Sequence, residues 1–238
     1  MKAIILAGGR GTRLAPYTTV FPKPLVPVGE QPIIEILVRQ LIGHGITDIT
    51  LSVGYLAELI KAYFEQRPLL MEKLRLSYVL EEKPTGTAGS LAQVSGLDET
   101  FLVMNGDVLT TLNFQKLISH HREQGAALTI AMHPKHVKID LGVLVTDHMG
   151  FVTDYREKPE MDYLVSMGIY VYEPRVLSYI EPGSYLDFPD LVLRLINAGE
   201  RVAGYESKDI WLDIGRHEDY QLAVQQFEEH RAEFLPGS

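Results

Sequence analysis

A short apolar segment followed at once by glycines opens the sequence, and it constrains the fold more than any other feature. Residues Lys2–Ala7 are apolar after the first position, which predicts a strand buried on both faces, as in a parallel sheet. The next six residues, Gly8–Arg13, have the sequence GGRGTR. Glycine lets the backbone approach a ligand and aim successive N–H groups at anionic oxygens. We therefore predict an α/β fold whose first loop can bind phosphate.

The first half of the chain alternates between strand-like and helix-like patterns, which is typical of βαβ units on a parallel sheet. Between Pro32 and His44 the apolar residues recur at helical spacing. Prolines at positions 22, 24 and 27 predict a stiff, non-helical stretch before this helix. The other segments predicted here are the strands Asp48–Val53, Arg75–Leu80 and Phe101–Met104 and the helices Leu56–Gln66 and Ala88–Val94.

Strand-like segments lie closer together after about residue 125, and helical patterns return later. The strands predicted here are Leu128–Met132, Gly142–Val145, Val152–Tyr155 and Val165–Tyr172, and the helices are Pro174–Ile180, Phe188–Ala198 and Glu218–Glu229. The predicted fold is α/β, a Rossmann-like three-layer α/β/α sandwich around a central, mostly parallel, mixed sheet. We expect a single domain over residues 1–235 and a frayed terminus at Pro236–Ser238.

Composition excludes several classes of function. The 22 Lys and Arg residues against 31 Asp and Glu residues give a formal charge of −9, and without a basic run we expect no nucleic-acid partner. The absence of cysteine excludes disulfides, thiolate metal sites and a cysteine nucleophile. The N-terminal apolar run, Ala3–Ala7, is too short for a signal peptide or a membrane span, so we expect a cytoplasmic protein without a membrane partner. The histidines form no catalytic pattern.

The glycine-rich loop fits neither common nucleotide-binding motif. A Walker A loop ends in Gly-Lys-Ser/Thr, and a Rossmann fingerprint needs a glycine where Arg13 or Leu14 stands. An ordinary NTPase and an NAD enzyme are therefore not indicated, while a tight turn with two solvated arginines stays open. Ten residues further on, prolines flank Lys23 in the segment FPKPL. A rigid cation near a phosphate-binding loop can stabilise developing charge.

Residues 8–28, GGRGTRLAPYTTVFPKPLVPV, resemble the signature GGxGTRLxPxTxxxPKPLxPV of sugar-1-phosphate nucleotidyltransferases, and every defined position matches. The resemblance implies the nucleotide-diphospho-sugar transferase type of fold, with a nucleotide-binding half over residues 1–125 and a sugar-phosphate-binding half over residues 126–235. It also implies catalytic roles for Arg13, Lys23 and Asp107. The nucleotide-binding residues it implies are Leu6, Ala7, Gly8, Gly9, Gly11, Thr12, Arg13, Lys23, Glu81, Gly86 and Thr87.

Two aspartates are candidate ligands of a divalent cation. Asp107 follows the predicted strand Phe101–Met104, and α/β sheets bind ligands at the carboxyl ends of their strands. Taken alone, this position would also suit a turn or a helix cap. Asp213 stands between a strand-like segment and a helix, in the sequence WLDIG. Hard oxygen ligands beside a triphosphate suit Mg²⁺, and the resemblance implies that these two aspartates share it as the cofactor.

The segment Arg156–Pro159 holds Glu157 and Lys158 beside a proline, a pattern that alone is most often an exposed turn. In the family that the chain resembles, the matching glutamate contacts the sugar and the lysine contacts its phosphate. The resemblance adds Asn105, Gly142 and Gly168 to this sugar-phosphate site.

The segment Glu81–Gly89, EEKPTGTAG, resembles the base-recognition loop of the family. A carboxylate at Glu81 can accept both the N1–H and the N2–H₂ of guanine. GTP is therefore favoured, and this form of the loop is most similar to mannose-1-phosphate guanylyltransferases. Simple solvation of Glu81 and Glu82 is the alternative, and uridylyltransferases for N-acetylmuramate 1-phosphate also carry acidic residues here.

The expected activity joins a nucleoside triphosphate and a sugar 1-phosphate, its two partners, into a nucleotide sugar and pyrophosphate. Three alternatives stay open. They are a uridylyltransferase for an N-acetylmuramate or hexosamine 1-phosphate, a phosphocholine cytidylyltransferase, and a non-catalytic subunit that binds nucleotide sugars. We expect a monomer or a homodimer, and the sequence leaves the identity of the sugar open.

Overall fold

The computed structural model describes residues 1–81 and 83–235. The terminus that we expect to be frayed, Pro236–Ser238, lies outside the described residues. So does Glu82, for which simple solvation was the alternative to base recognition. The strands are β1 (Lys2–Ala7), β2 (Pro27–Val28), β3 (Gln31–Pro32), β4 (Asp48–Val53), β5 (Arg75–Leu80), β6 (Phe101–Asn105), β7 (Val108–Thr110), β8 (Leu128–Lys138), β9 (Val143–Thr146), β10 (Val152–Arg156), β11 (Glu160–Tyr172), β12 (Val202–Glu206) and β13 (Trp211–Asp213).

Helices connect most of these strands. The α-helices are α1 (Tyr17–Val20), α2 (Ile33–Gly43), α3 (Ala57–Glu65), α4 (Pro68–Met71), α5 (Gly86–Gly89), α6 (Phe114–Gln124), α7 (Phe188–Asn197), α8 (His217–Glu229) and α9 (Arg231–Phe234). The 3₁₀ helices are Thr12–Leu14, Lys23–Leu25, Ser90–Gln93 and Pro174–Tyr179. Within the described ranges, no helix combines the length and the apolar character needed to cross a bilayer.

A seven-stranded sheet forms the centre of the molecule, in the order β12-β8-β11-β6-β1-β4-β5. β1 pairs in parallel with β4 and β6, β4 pairs in parallel with β5, and β12 pairs in parallel with β8. Only β11 runs antiparallel to its neighbours, β6 and β8. This arrangement confirms the predicted mixed, mostly parallel sheet, which the second half of the chain completes.

Apolar side chains project from both faces of the sheet, and helices pack against each face. Along β1, Ile5 joins the buried cluster covered by α2, α3, α6 and α8. Ile4, whose side chain points to the opposite face because strand side chains alternate, joins the cluster that includes residues of α7 and of the 3₁₀ helices. Both isoleucines are fully buried. The three-layer α/β/α prediction is therefore confirmed.

Several predicted elements differ in kind or extent. The predicted helix Ala88–Val94 is instead α5 followed by a 3₁₀ helix, and the segment from Pro174 is also 3₁₀ rather than α. The proline-rich stretch is not free of helix, because Lys23–Leu25 forms a 3₁₀ turn in which Leu25 N donates to Pro22 O at 2.8 Å. The fixed φ of proline, near −65°, suits such a turn as well as an extended chain.

Several other elements are longer than predicted or are missing from the predicted strands and helices. β8 and β11 are longer than expected because their outer halves pair with each other, with Lys135 opposite Tyr163. α6 begins after Asn113, whose side chain accepts a hydrogen bond from Lys116 N at 3.0 Å, and ends at Gly125 in the left-handed region. β12 was also not predicted, and it lies at the edge of the sheet beside β8.

Candidate active site

The carboxyl ends of β1 and β6 meet at one edge of the sheet, where a cleft of about 350 Å³ opens. Gly106 brings the chain close to β1, since its N–H donates to Leu6 O at 2.8 Å and a Cβ at this position would lie 2.8 Å from the same oxygen. The predicted site residues that line the cleft are Leu6, Ala7, Gly8, Gly9, Lys23, Glu81, Gly86, Thr87, Asn105 and Asp107.

Lys23 is a buried cation at the floor of this cleft. It forms an ion pair with Asp107, and the Lys23 side chain is only 9% exposed. Gly11 does not line the cleft but lies against Lys23, because a Cβ on Gly11 would be 2.8 Å from Lys23 Cβ. Gly11 has φ +62°, which glycine adopts without strain, and its carbonyl accepts a hydrogen bond from Thr18 Oγ1 at 2.8 Å. The glycine-rich loop therefore packs against Lys23 and fixes its position.

Asp107 and Asp213 are neighbours in space although they lie far apart in the chain. β7 and β13 pair antiparallel with Asp213 opposite Val108, and Ile214 N donates to Asp107 O at 3.0 Å. Desolvation raises the pKa of the Asp213 carboxyl, and the negative charge of Asp107 raises it further, while Lys23 and Arg13 lower it. The pKa of Asp213 therefore depends on the charges of Asp107, Lys23 and Arg13.

Arg13 and Thr12 lie outside the main cleft. Arg13 lines a second cavity of about 430 Å³, together with Asp213. Its Nη1 lies 3.5 Å from where a Cβ on Gly215 would stand, so the glycine after Asp213 leaves room for the guanidinium. Thr12 lines a smaller cavity of about 210 Å³ beside Tyr55. The predicted nucleotide-binding residues other than Gly11 thus line three different cavities.

The predicted sugar-phosphate residues fall into two groups. Asn105 and Gly168 are in contact, since a Cβ on Gly168 would lie 2.6 Å from Asn105 Nδ2. Gly168 has φ +72°, and it interrupts the pairing register between β11 and β8. The glycine thus lets β11 approach the end of β6, where Asn105 lines the cleft.

The second group lies on the hairpin of β9 and β10. Tyr155 OH donates to Glu157 Oε2 at 2.8 Å, and a Cβ on Gly142 would lie 2.1 Å from the same hydroxyl oxygen. Lys158 is exposed, with φ +43°, unusual for a residue other than glycine. Gly142, Glu157 and Lys158 form a cluster of their own and do not line the main cleft.

Glu81 is held at the wall of the cleft. Ser52 Oγ donates to Glu81 Oε1 at 2.6 Å, and this oxygen lies 3.0 Å from where a Cβ on Gly8 would stand. Glu81 is half-buried. The Glu81 side chain is therefore not freely solvated, which was the alternative interpretation of this residue.

The sequence patterns missed a segment that braces the loop predicted to recognise the base. Leu186 O accepts hydrogen bonds from Ala88 N and Gly89 N, both at 3.0 Å. Asp187 Oδ1 accepts one from Thr87 N at 3.2 Å. Tyr185, whose OH donates to Asp187 Oδ2 at 2.7 Å, also lines the cleft. In the sequence, Asp187 stands just before the helix predicted from Phe188, and this position suggests only a helix cap. Local spacing does not predict its contacts with residues about one hundred positions away.

The sequence profile of the family described as nucleotidyl transferase matches residues 2–230. The chain belongs to this family, as the glycine-rich signature predicted. It is 35% identical to a UTP–glucose-1-phosphate uridylyltransferase of Synechocystis sp., covering 94% of this chain and 62% of that protein. It is 31% identical to a mannose-1-phosphate guanyltransferase of Schizosaccharomyces pombe, covering 99% and 68%. The chain thus spans 62% of the length of the first of these relatives.

Solved structures share the fold. A putative glucose-1-phosphate thymidylyltransferase from Bacillus anthracis superposes with a TM-score of 0.74 at 26% identity, covering 95% of this chain and 94% of that one. HddC from Yersinia pseudotuberculosis, complexed with GMP-PN, superposes with a TM-score of 0.70 at 25% identity, covering 95% and 99%. The prediction of a nucleotide-diphospho-sugar transferase fold is confirmed.

Proposed function

We propose that this chain transfers a nucleotide from a nucleoside triphosphate to a sugar 1-phosphate and releases pyrophosphate. The observation that carries the proposal is the convergence of Asp107 and Asp213 beside the buried Lys23, at the end of the strand that leads into the glycine-rich loop. The similarity to a uridylyltransferase and to guanyltransferases of sugar 1-phosphates supports the same reaction class.

An oxygen of the sugar phosphate attacks the α-phosphorus in line. The bond from that phosphorus to the oxygen bridging to the β-phosphate breaks, and pyrophosphate leaves with the electron pair. Such chemistry depends mainly on positioning and on charge stabilisation. Lys23 neutralises the α-phosphate, Arg13 holds the β- and γ-phosphates, and Lys158 orients the attacking phosphate. The N–H groups around Gly8 and Gly9 face the triphosphate.

Asp107 and Asp213 would hold a Mg²⁺ ion. Two carboxylates suit this ion, which keeps several waters and takes its remaining ligands from substrate phosphates. The described part of the chain contains no cluster of three or more acidic or histidine side chains that could form a complete cage. When bound, Mg²⁺ supplies positive charge that neutralises the reacting phosphates. Burial and the charge of Asp107 both raise the pKa of Asp213, and a bound cation would offset both effects.

GTP is the favoured nucleotide in this proposal. Glu81 presents its carboxylate at the wall of the cleft, where Ser52 orients one of the two oxygens. A carboxylate can accept two adjacent donors of guanine, whereas the imide edge of uracil offers only one N–H. The second candidate is a uridylyltransferase for an N-acetylmuramate or hexosamine 1-phosphate, which the similarity to a UTP-dependent relative favours.

The proposal divides the work between the two parts of the chain. Residues 1–125 bind the nucleotide, and residues 126–235 bind the sugar phosphate through Gly142, Glu157, Lys158 and Gly168. This assignment requires Gly142, Glu157 and Lys158, which flank the β9–β10 hairpin, to lie closer to the cleft when a sugar phosphate is bound.

A substrate grid tests the function. Five nucleoside triphosphates are combined with a panel of sugar 1-phosphates and with phosphocholine, and pyrophosphate release is measured with Mg²⁺ present. We expect turnover with a sugar 1-phosphate and a preference for GTP. A preference for UTP of more than tenfold would contradict only the assignment of the base. Turnover with CTP and phosphocholine would contradict the assignment of a sugar 1-phosphate as the acceptor. No pyrophosphate release from any pair would favour a subunit that binds without reacting.

A further inference from the structure

The second cavity is lined by three cations against two carboxylates, Asp213 and Asp219, although the chain as a whole is acidic, and we call it the cationic cavity. Its volume is about 430 Å³, and its lining includes Arg13, Lys135 and Arg216, in a chain of formal charge −9. None of these three cations forms an ion pair within residues 1–81 and 83–235. Three unpaired cations around one concave space attract an anion.

Each cation reaches the cavity from a different element. Arg13 extends from the glycine-rich loop, Lys135 from the outer half of β8, and Arg216 from the residue before α8. Asp219 also lines the cavity, but its Oδ2 already accepts a hydrogen bond from Arg216 N at 2.9 Å. This contact occupies part of the hydrogen-bonding capacity of Asp219 and stabilises the start of α8.

The position of the cavity indicates which anion it receives. Asp107 lines the main cleft and Asp213 lines the cationic cavity, so the aspartate pair stands between the two spaces. A triphosphate whose base lies beside Glu81 and whose α-phosphate lies at Lys23 would extend its β- and γ-phosphates past this pair. Beyond the pair stands Arg13, the first of the three cations.

We propose that Lys135 and Arg216 complete, together with Arg13, a binding site for pyrophosphate, occupied first by the β- and γ-phosphates of the nucleotide and then by the leaving group. This inference rests on the proposed function and adds Lys135 and Arg216, which lie outside the signature motif. Arginine can bind two phosphate oxygens at once, whereas lysine acts as a point charge. Together they stabilise the charge that collects on pyrophosphate as its bond to the α-phosphorus breaks.

Calorimetric titration of inorganic pyrophosphate into the metal-free chain, in EDTA, tests binding without turnover. We expect saturable binding by the wild type. In Lys135→Met and in Arg216→Met the affinity for pyrophosphate should be weaker by about tenfold or more, because each variant loses a charge contact worth about 1.4 kcal/mol. Lys138→Met is the matched control, since Lys138 lies on the same strand and pairs with Glu160. Binding by Lys135→Met and Arg216→Met equal to that of this control would overturn the proposal.

Kinetics separate pyrophosphate from the other phosphate substrate. In the reverse reaction, from nucleotide sugar and pyrophosphate, the KM for pyrophosphate should rise about tenfold or more in both variants. The KM for the sugar 1-phosphate in the forward reaction should stay within about twofold of the wild type. A rise confined to the sugar 1-phosphate would contradict the proposal and assign the cavity to the attacking phosphate. A wild type that binds pyrophosphate but turns over no substrate pair would contradict the proposed function and leave the pyrophosphate site supported.

Discussion

Asp107 and Asp213 meet across a two-stranded antiparallel pair, in which the backbone of Ile214 donates to the carbonyl of Asp107 at 3.0 Å. The backbone brings the two residues together, and the negative charge of Asp107 acts on the Asp213 carboxyl. Burial and the negative charge of Asp107 make the ionised form of Asp213 unfavourable until a further cation offsets them. This relationship connects the stability of the protein to its proposed chemistry.

The raised pKa of Asp213 predicts how stability depends on pH without metal. Because the folded chain raises this pKa above its ordinary value of 3.8, ionised Asp213 destabilises the fold at neutral pH. As pH falls through the raised pKa, the folded state takes up a proton before the unfolded state does, and the penalty is relieved. We therefore expect Asp213→Asn to raise Tm in EDTA at pH 7, with a gain that disappears below pH 3.8.

Thermal unfolding of both proteins across this pH range measures the effect. Addition of Mg²⁺ at pH 7 should raise the Tm of the wild type and leave that of Asp213→Asn nearly unchanged. A variant that is less stable than the wild type at pH 7 in EDTA would contradict the prediction.

Lys23→Met should abolish most of the turnover. The substitution removes a buried charge that neutralises Asp107 and that we propose acts on the α-phosphate. Loss of one preorganised charge contact commonly costs about 10²–10³ in rate, so we expect kcat to fall by that factor with Mg²⁺ saturating. Lys116→Met, at an exposed position of α6, is the control, and equal kcat values for the two variants would count against a role for Lys23.

Glu81→Gln should weaken the preference for GTP. The amide keeps an oxygen for the hydrogen bond from Ser52 but offers an N–H₂ where the carboxylate accepted a donor from guanine. We expect the ratio of kcat/KM for GTP to that for UTP to fall about tenfold, the effect of one lost charge-assisted hydrogen bond. The exposed Glu72→Gln should leave the ratio unchanged, and a Glu81→Gln ratio equal to that control would remove Glu81 from base recognition.

Gly168→Ala should destabilise the chain more than a matched glycine does. Gly168 and Gly183 both have positive φ, at +72° and +78°, but only Gly168 has a neighbour, Asn105, where a Cβ would stand. The backbone conformation alone costs about 1–2 kcal/mol for alanine. Chemical denaturation should therefore show a larger loss of unfolding free energy for Gly168→Ala than for Gly183→Ala, and equal losses would show that the Asn105 contact is unimportant.

Much of the fold follows from local patterns. Segments such as Lys2–Ala7 and Asp48–Val53 have the predicted bounds, because apolar runs bounded by breakers determine buried strands directly. The paired outer halves of β8 and β11 could not be predicted in this way. Their residues are polar or exposed, so pairing between distant segments, rather than burial, stabilises them.

The candidate site divides in a similar way. The family resemblance predicted residues that converge on one cleft, such as Gly8, Lys23 and Asp107. It did not predict that Arg13 faces a different cavity, or that Leu186 and Asp187 brace the loop that carries Gly86 and Thr87. These features depend on contacts between segments about one hundred residues or more apart, which neither spacing nor periodicity encodes.

Binding of Mn²⁺, followed by electron paramagnetic resonance with a non-hydrolysable nucleoside triphosphate present, tests the shared-ion claim most directly, since Mn²⁺ also prefers oxygen ligands. We predict one ion per wild-type chain. Asp107→Asn and Asp213→Asn should each weaken binding by about tenfold or more, and the double variant should lose less than the two single losses combined, because both remove the same site. Asp98→Asn, at the opposite end of the sheet beside Lys2, should bind normally. Wild-type Mn²⁺ affinity in either single variant at position 107 or 213 would contradict the account.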